Sequence, residues 1–428
     1  MDSFVIKGNI CYSEDKTILV CMPNSYAVCE NGVCRGVFSK LPEEYRHLPL
    51  TDYGDRLIIP GMTDLHIHAA QYAFRGIHVD EQLLDWLIKH AFPEETRFAD
   101  PEYAEKAYRI FINDLLSGAT TRACMFASAH TEATEILMRL TAEAGLGAYI
   151  GRVNMDYDAP DGLREKSAEF SAAETAGWIE RTAEKYELVK PILTPRFVLS
   201  CSRELMERLS GIIEKYRLPV QSHLSENLGE IEIVAKRFPE HATYGEVYDH
   251  YNMFGGLSKT LMAHCVYSSE RELELIGQRG VFIAHCPASN TNVITGIAPV
   301  RKYLDGNLKM GIASDVAGGH TASMFHAVVD TIQMSKQYWR YVDQDCMPVN
   351  FVEAFYLATK GGGEFFGKVG SFENGFEFDA VVLDDSSLPH PQPLNVYERL
   401  ERAVYLGLDD RGGVCAKYVA GKKILDRI

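Results

Sequence analysis

The sequence predicts an α/β protein: a (β/α)8 TIM barrel with a small β-sandwich domain formed by both chain ends. Two observations support this prediction. Eight apolar runs of strand length alternate with helix-period segments in the middle of the 428-residue chain, and both ends consist of short strand-like runs joined by turns. Several of the eight runs lack inside–outside alternation, as expected for parallel strands covered on both faces. A doubly wound open sheet is the alternative.

The two chain ends are predicted to form one composite β domain, residues 1–60 and 368–428. The N-terminal part offers strands at 4–12, 17–22, 24–30 and 33–38. The C-terminal part offers strands at 376–383 and 417–425, separated by a loop containing serine and proline and by a helical stretch. Because each end is too small to fold well alone, we expect the two ends to pair.

The barrel is predicted over residues 61–367, and its first strand begins just before that boundary. The eight strand-length runs are 57–61, 120–126, 148–154, 189–193, 219–222, 260–263, 281–284 and 309–313. The segment from residue 63 to residue 318, which contains seven of these runs, has about the 250 residues that such a barrel typically takes. In a barrel, side chains at the carboxyl ends of the strands converge on one mouth, so the ionisable residues there indicate the function.

The composition is that of an ordinary globular protein, with 46% hydrophobic and 24% charged residues, and excludes a largely disordered chain. The formal net charge of −16 argues against a nucleic-acid partner but is compatible with a pocket for a single base. No apolar run is long enough to span a membrane. Ten cysteines without a CxxC pair, and no secretory pattern at the N-terminus, predict a cytoplasmic protein with reduced thiols.

Histidines and one aspartate follow five of the predicted strands. His66 and His68 follow the first, His223 the fifth, His264 the sixth, His285 the seventh and Asp315 the eighth. Residues i and i+2 of a strand share a face, so His66 and His68 can bind one metal side by side. With His223 and Asp315 they form three imidazoles and one carboxylate, a set that suits zinc or iron(II) with an open position for water.

Each of these residues also has a purely structural interpretation. His66 and His68 could be core histidines with satisfied hydrogen bonds, although the matching strand ends favour a metal site. We interpret His264 as catalytic and His285 as a supporting or structural residue. Trp86 is expected to lie in an amphipathic helix that packs over the mouth of the barrel.

The motifs at the strand ends resemble those of the amidohydrolase superfamily. Residues 60–68 are similar to its strand-one signature, 222–226 to its strand-five motif, and 263–264 and 314–315 to strands six and eight. The finer features at 66–72, 195–197, 200–202, 285–290 and 315–319 resemble the branch that deaminates guanine. The chain departs from the usual pattern at residues 62, 63 and 65, and His320 stands where that branch is expected to have an aromatic residue.

The resemblance implies one metal ion per subunit, zinc with Fe2+ as the alternative, and a homodimer. Superfamily members with two metals bridge them through a modified lysine at the end of strand four. Here that end carries Thr194, Pro195 and Arg196, and Lys190 lies at the beginning of the strand. The expected ligands of a single metal are His66, His68, His223 and Asp315.

The expected reaction is hydrolytic deamination of guanine to xanthine and ammonia, in which a metal-bound hydroxide attacks C2. Glu226, three residues beyond His223, is expected to protonate N3 and then to carry a proton to the departing amine. Asp315 is expected to accept the proton of the water. His264 is expected to hydrogen-bond the attacking oxygen as a donor.

Arg196, Phe197 and Gln71 are expected to select the base. The guanidinium of Arg196 matches the adjacent O6 and N7 acceptors of guanine, with a structural ion pair at the barrel rim as its alternative. Phe197 offers a face for stacking, and Gln71 can both donate and accept at the edge of the base. The catalytic and ligand residues complete the expected substrate contacts: His223, Glu226, His264 and Asp315.

Two competing functions remain open at this stage. A related enzyme acting on cytosine, a triazine or a thio-adenosine would keep the metal ligands but change Gln71 and residues 195–197. A catalytically inactive scaffold relative is the alternative from a different class. Such relatives usually lose ligands or the acid/base residue, whereas this chain retains all of them.

Overall fold

The structure, a computed structural model, describes residues 3–428. Its strands are β1 Phe4–Ser13, β2 Leu19–Glu30, β3 Val33–Phe38, β4 Leu50–Pro60, β5 Met62–His68, β6 Thr120–Phe126, β7 Gly147–Gly151, β8 Val153–Asn154, β9 Val189–Pro191, β10 Thr194–Pro195, β11 Val220–Leu224, β12 Thr260–His264, β13 Phe282–His285, β14 Met310–Ile312, β15 Ala380–Leu383, β16 Val414–Val419 and β17 Lys422–Asp426. The strands thus cluster at both ends and recur singly through the middle, as the sequence predicts.

The helices fall mainly between the central strands. They are α1 Leu83–Trp86, α2 Phe92–Thr96, α3 Pro101–Ser117, α4 Thr131–Glu143, α5 Ala168–Thr182, α6 Arg203–Tyr216, α7 Leu228–Arg237, α8 Tyr244–His250, α9 Glu270–Arg279, α10 Pro287–Asn292, α11 Val300–Asp305, α12 Met324–Tyr341, α13 Phe351–Tyr356 and α14 Val396–Tyr405. Within the described residues, none of these helices has both the length and the apolar character needed to cross a membrane.

The two chain ends form one sheet of seven strands, in the order β17-β16-β15-β4-β1-β2-β3. β4 joins the ends because it pairs parallel with β1 and antiparallel with β15. The sequence predicts a sandwich of two sheets, whereas the structure has one curled sheet. Bulges such as the register shift between Gly8 and Ile10 increase the twist, and they accompany a curl that brings the Phe4 ring to 5.1 Å from that of Tyr418.

Alternate residues of the terminal sheet pack into two different cores. Ile6, Ile10 and Ile58 face a small core enclosed by the curled sheet itself. Leu57 and Ile59 face the large core that is shared with the central strands and helices. The sheet therefore buries both of its faces in its middle, since successive side chains of a strand point to opposite sides.

The central strands form two parallel four-stranded sheets. One has the order β5-β6-β7-β9 and the other β11-β12-β13-β14, and a parallel bridge between Leu193 and Val220 connects them. The predicted first barrel strand at 57–61 is wrong, because residues 57–60 belong to β4 of the terminal sheet and the first strand of the central sheets is β5. A strand at either place, in the terminal sheet or in the barrel, is covered on both faces. The apolar pattern of residues 57–61 therefore could not show which of the two sheets the run joins.

Charged side chains join the terminal sheet to the central strands. Arg122 of β6 donates to both carboxylate oxygens of Asp379, at 2.7 and 2.9 Å. Lys417 of β16 donates to the backbone carbonyls of Leu115 and Thr120, each at 2.8 Å. Arg122, Asp379 and Lys417 are all buried. The junction between the two parts is thus polar, and its charges are paired or hydrogen-bonded.

Candidate active site

The predicted imidazoles and carboxylate converge where the parallel strands end. His66 and His68 lie at the end of β5, His223 in β11 and Asp315 just beyond β14. Nε2 of His68 lies 3.1 Å from Nε2 of His223. Oδ1 of Asp315 lies 3.3 Å from Nε2 of His66 and 3.6 Å from Nε2 of His68. The structure therefore brings together the four residues that the sequence predicts as metal ligands.

The backbone around these residues is fixed by a buried carboxylate, Asp64. Its Oδ1 accepts from the amides of His66 and Ser314, at 3.2 and 3.0 Å, and so ties β5 to the segment after β14. The amide of Asp315 donates to the carbonyl of His66 at 2.8 Å. Burial raises the pKa of Asp64 to about 7. The left-handed φ of +47° at Asp315 turns the chain sharply where the strand ends.

The protonation states of the histidines suit a cation. His223 donates from Nδ1 to the carbonyl of Arg196 at 2.6 Å, which leaves the lone pair on Nε2. Burial lowers the pKa of both His68 and His223 well below the ordinary value, so both rings are neutral. Nε2 of His66 is buried and has no hydrogen-bond partner within residues 3–428. Imidazole nitrogens that converge beside a carboxylate, one of them without a hydrogen-bond partner, fit a bound metal ion.

The possible ligand atoms form overlapping groups. His66, His68 and Asp315 form one group, and His66, His223 and His264 form another; within each group the ligand atoms lie within 4.8 Å of one another. His264 is thus close enough to compete as a ligand. Its Nδ1 donates to Oδ1 of Asn290 at 2.9 Å, and its Nε2 lies 3.5 Å from Glu226 and 3.7 Å from Asp315. This position, between two carboxylates, suits contact with reacting atoms.

The protonation state of His264 modifies the predicted role. Burial lowers its pKa to about 4. Since Nδ1 donates to Asn290, the neutral ring presents the Nε2 lone pair to the pocket. A ring in this form can accept a hydrogen bond at Nε2, and it donates there only after it gains a proton, so the donor role expected from the sequence stays a prediction. Asn290, which lies in α10, sets this orientation and was not assigned a role by the sequence analysis.

Glu226 lies immediately before the N-terminus of α7, where a capping box holds the backbone. Asn227 is the cap, and Oε2 of Glu230 accepts from the amides of Glu226 and Asn227 at 3.3 and 3.4 Å. Burial, reinforced by the carboxylates of Glu230 and Asp315, raises the pKa of Glu226 well above its ordinary value. This shift favours the protonated form of Glu226, the form in which a general acid acts.

A helix over the mouth closes the pocket. Residues 83–96, here called the cover helix, comprise α1, a π-helical turn at Leu87–Ala91 and α2. Leu83, Trp86 and Leu87 of this helix line a pocket of about 460 Å³ that also contains Glu226, His264 and Asp315. Trp86 is buried, in agreement with the helix expected at that position. A pocket of this size and enclosure suits a small molecule.

The predicted base-selecting residues line the same pocket. They are Gln71, Arg196 and Phe197. Arg196 forms an ion pair with Glu95 of the cover helix at 2.6 Å, but the pair is buried in the pocket wall rather than exposed at the rim. Glu95 was not predicted, because a Glu94–Glu95 pair in a short helical segment is typical of a solvent-exposed face.

The two remaining histidines of the motifs lie to the side. His285 is buried, neither ring nitrogen has a hydrogen-bond partner among the described residues, and burial lowers its pKa to about 3. This fits the structural interpretation. His320 is exposed and lies 3.4 Å from the Nδ2 atom of Asn292, away from the ligand cluster.

Parallel strands that carry imidazoles and carboxylates to one closed mouth define the class of hydrolases that activate water at a histidine–aspartate centre. The profile of the amidohydrolase family matches residues 57–422. A guanine deaminase from Dictyostelium discoideum is 35% identical over 98% of this chain and 98% of its own length. One from Mus musculus is 38% identical over 86% of this chain and 82% of its own length. The chain therefore belongs to the amidohydrolase family and, within it, to the guanine deaminase family.

A solved structure agrees with this assignment. The guanine deaminase from C. acetobutylicum, with bound guanine in the active site, superposes with a TM-score of 0.96. It is 46% identical in sequence, and the match covers 99% of this chain and 100% of the other. The likeness thus includes the terminal sheet as well as the central strands.

Proposed function

We propose that this protein hydrolyses guanine to xanthine and ammonia. The observation that carries the proposal is one pocket whose lining brings residues of the histidine–aspartate centre and Glu226 together with Arg196, Gln71 and Phe197. Guanine in the active site of the 46% identical C. acetobutylicum enzyme supports the choice of base. Related hydrolases of other heterocycles are less well supported, because the most similar relatives are guanine deaminases.

We also infer that the two parallel sheets are halves of one closed (β/α)8 barrel, residues 61–367, with residues 1–60 and 368–428 as the second domain. Two contacts support closure. The Leu193–Val220 bridge joins the sheets on one side. On the other side Gly311 of β14 lies so close to β5 that a Cβ at Gly311 would stand 2.7 Å from Leu65. A homodimer and a cytoplasmic location are parts of the same proposal.

The residues present fit a single metal ion, for which zinc is the proposed identity. His66, His68, His223 and Asp315 would hold it, because they supply three imidazoles and a carboxylate, the donor set that zinc takes in proteins. Burial alone would raise the pKa of Asp315, yet nearby His66 and His264 hold it below its ordinary value. When bound, a zinc ion lowers the pKa of a water molecule toward neutrality and so supplies a nucleophile.

The protein groups then move the protons. Asp315 accepts a proton from the attacking water, and His264 accepts a hydrogen bond from it through Nε2. Glu226 donates its proton to N3 of the base as the oxygen adds to C2. Glu226, now ionised, takes up the hydroxyl proton of the adduct at C2 and passes it to the amino nitrogen, so the C2–N bond breaks as the C2–O double bond forms, and ammonia departs, leaving xanthine. The proton that Asp315 took from the water then returns to Glu226 and restores the starting state.

Recognition of the base falls to residues on the opposite wall. Arg196 donates to O6 and N7 of guanine, because its guanidinium matches two adjacent acceptors. The Phe197 ring lies 6.4 Å, centroid to centroid, from that of His223 and offers an apolar face to a planar base. A base held by Arg196 and Phe197 in this way has its C2 directed toward Glu226.

The decisive experiment measures ammonia release from guanine by the purified protein loaded with zinc. We expect turnover with xanthine as the second product, loss of turnover after chelation and its return when zinc is added. Cytosine and a triazine serve as control substrates, because they lack the purine edge that Arg196 is proposed to bind. Metal-loaded protein that leaves guanine unchanged would contradict the proposed substrate.

A further inference from the structure

A buried carboxylate on the cover helix links two residues of the base-binding wall. Glu95 is 2% exposed. Its Oε1 accepts from Nε2 of Gln71 at 2.7 Å, and its Oε2 accepts from a terminal nitrogen of Arg196 at 2.6 Å. Both partners line the pocket, whereas Glu95 itself lies behind them. One side chain therefore orients two groups that face the substrate.

The contact with Glu95 fixes the direction of the Gln71 amide. An ionised carboxylate only accepts hydrogen bonds, so it must receive the NH2 group of Gln71. The carbonyl oxygen Oε1 of Gln71 is left buried and without a hydrogen-bond partner in the part of the chain that the structure describes. A buried acceptor without a partner costs free energy unless a ligand supplies a donor. Gln71 therefore presents an acceptor to the base.

Arg196 is held from two sides by the same helix. Its guanidinium pairs with Glu95 and lies 4.8 Å from the ring centroid of Phe92. Phe92 and Glu95 are three residues apart on the helix and so share a face. Because one terminal nitrogen is committed to Glu95, the remaining N–H groups are available to the pocket. Arg196 therefore presents donors beside the acceptor of Gln71.

We infer that Glu95 is a positioning residue that selects the 6-oxo edge of the base. A donor from Arg196 beside an acceptor from Gln71 complements O6 and N1–H, which are adjacent on guanine. On the reversed edge, an amino group at C6 would face the donor of Arg196 and an unprotonated N1 would face the acceptor of Gln71. Neither hydrogen bond could then form. This inference rests on the proposed function and adds the origin of its substrate selectivity.

2,6-Diaminopurine is the base that isolates this effect. It carries the same 2-amino group as guanine, so the reacting centre is unchanged, but its C6 edge is reversed. A site built around hydrogen bonds rejects the wrong edge strongly, because its buried polar groups are then left unpaired. The ratio of kcat/KM for guanine to kcat/KM for 2,6-diaminopurine therefore reports the polarity that Glu95 imposes.

The test compares Glu95→Gln with Glu94→Gln in the zinc-loaded enzyme. A glutamine at 95 can either donate to or accept from Gln71, so the amide of Gln71 is free to turn over. We expect Glu95→Gln to lower the guanine to 2,6-diaminopurine ratio by at least about tenfold. Glu94 lies on the same helix and contacts Tyr103 instead, so Glu94→Gln should leave the ratio unchanged. A smaller fall in Glu95→Gln, or an equal fall in both variants, would overturn the inference.

Two further measurements keep the test decisive. If Glu95→Gln does not fold, Glu95→Asp carries a carboxylate too short to reach both partners, and the same fall is expected. Calorimetric dissociation constants of the two bases separate this inference from the proposed reaction. If the wild-type protein binds guanine but releases no ammonia, the reaction fails and the binding ratio in the variants still decides the role of Glu95. If it binds neither base, both are overturned.

Discussion

At the scale of single residues, burial determines which groups in the pocket carry protons. Burial lowers the pKa of His68 and His223 and raises that of Glu226. Burial disfavours an isolated charge. The same physical cause therefore favours neutral imidazoles, which can bind a metal, and the protonated form of the Glu226 carboxyl, which can act as an acid. Asp315 is the exception, since neighbouring histidines keep it ionised.

Glu226 offers the sharpest test of this arrangement. Glu226→Gln retains the shape of the side chain but has no proton to exchange, so we expect turnover of guanine to fall about a hundredfold or more. Metal content, measured by atomic emission, should stay unchanged because Glu226 is not among the proposed ligands. Glu232→Gln on the exposed side of α7 is the matched control and should keep wild-type turnover. A Glu226→Gln enzyme with more than about a tenth of wild-type kcat would refute the acid role.

The convergence of the proposed ligand residues could be predicted from the sequence, whereas the residues that support them could not. His66, His68 and Asp315 each follow an apolar run, and the carboxyl ends of parallel strands must meet. Glu95 and Asn290 act through contacts with Gln71, Arg196 and His264 that depend on how the helices pack. No periodicity marks such contacts, so only the three-dimensional structure shows them.

At the scale of elements, the junction between β6 and the terminal sheet depends on one buried ion pair. Arg122 donates twice to Asp379, and the side chain of Asp379 is fully buried. Oδ1 of Asp379 also accepts from the amide of Ala420 at 2.7 Å. Arg122 also pairs with the half-exposed carboxylate of Glu377 at 2.7 Å. Removing the Asp379 charge therefore leaves the buried guanidinium with Glu377 as its remaining carboxylate partner, which compensates for burial less well than the original pair.

Asp379→Asn is therefore expected to lower the free energy of unfolding by about 2–3 kcal/mol, less than for a charge left without any partner. Asp384→Asn is the control, since Asp384 pairs with Arg56 where both side chains are one-third exposed, and such pairs contribute at most about 1 kcal/mol. Urea unfolding followed by circular dichroism measures both. Equal losses in the two variants would show that the buried pair contributes no more than a surface pair.

Element types were easier to predict than element partners. Residues 57–60 of the predicted run 57–61 form a strand, but in β4 of the terminal sheet. Gly61 separates β4 from β5 and passes so close to Thr121 that a Cβ would lie 2.1 Å from its Oγ1. An apolar run of this length gives no indication of which sheet it joins. The β1–β4 and β4–β15 pairings likewise decide that the terminal strands form one curled sheet rather than the predicted sandwich of two sheets, and the sequence does not show these pairings.

At the scale of the whole molecule, Lys417 links the terminal sheet to the central part of the fold. Its side-chain nitrogen is buried and donates to the carbonyls of Leu115 and Thr120. Leu115 lies in the last turn of α3, and Thr120 is the first residue of β6. Burial lowers the pKa of Lys417 to about 7, although the nearby carboxylate of Asp409 opposes the shift. The lysine of an unfolded chain has a pKa of 10.5.

This difference predicts a pH dependence of stability. Between about pH 7 and 10.5 the unfolded chain binds a proton at Lys417 that the folded chain has released, so the free energy of unfolding rises with pH in that window. The slope from this group approaches about 1.4 kcal/mol per pH unit. Below about pH 7 the burial cost is present in full and the contribution becomes constant.

Lys417→Met removes the titrating group while keeping an unbranched side chain. The difference in free energy of unfolding between wild type and Lys417→Met, measured by urea denaturation from pH 6 to 10, should therefore shift in favour of the wild type as the pH rises. Lys422→Met is the matched control, because Lys422 lies on β17 with its side chain half exposed, and its profile should run parallel to that of the wild type. If the Lys417→Met profile is also parallel, Lys417 keeps its charge in the folded protein. The two carbonyls at the junction would then bind an ammonium group at all pH values, and the connection between the two parts of the molecule would not depend on pH.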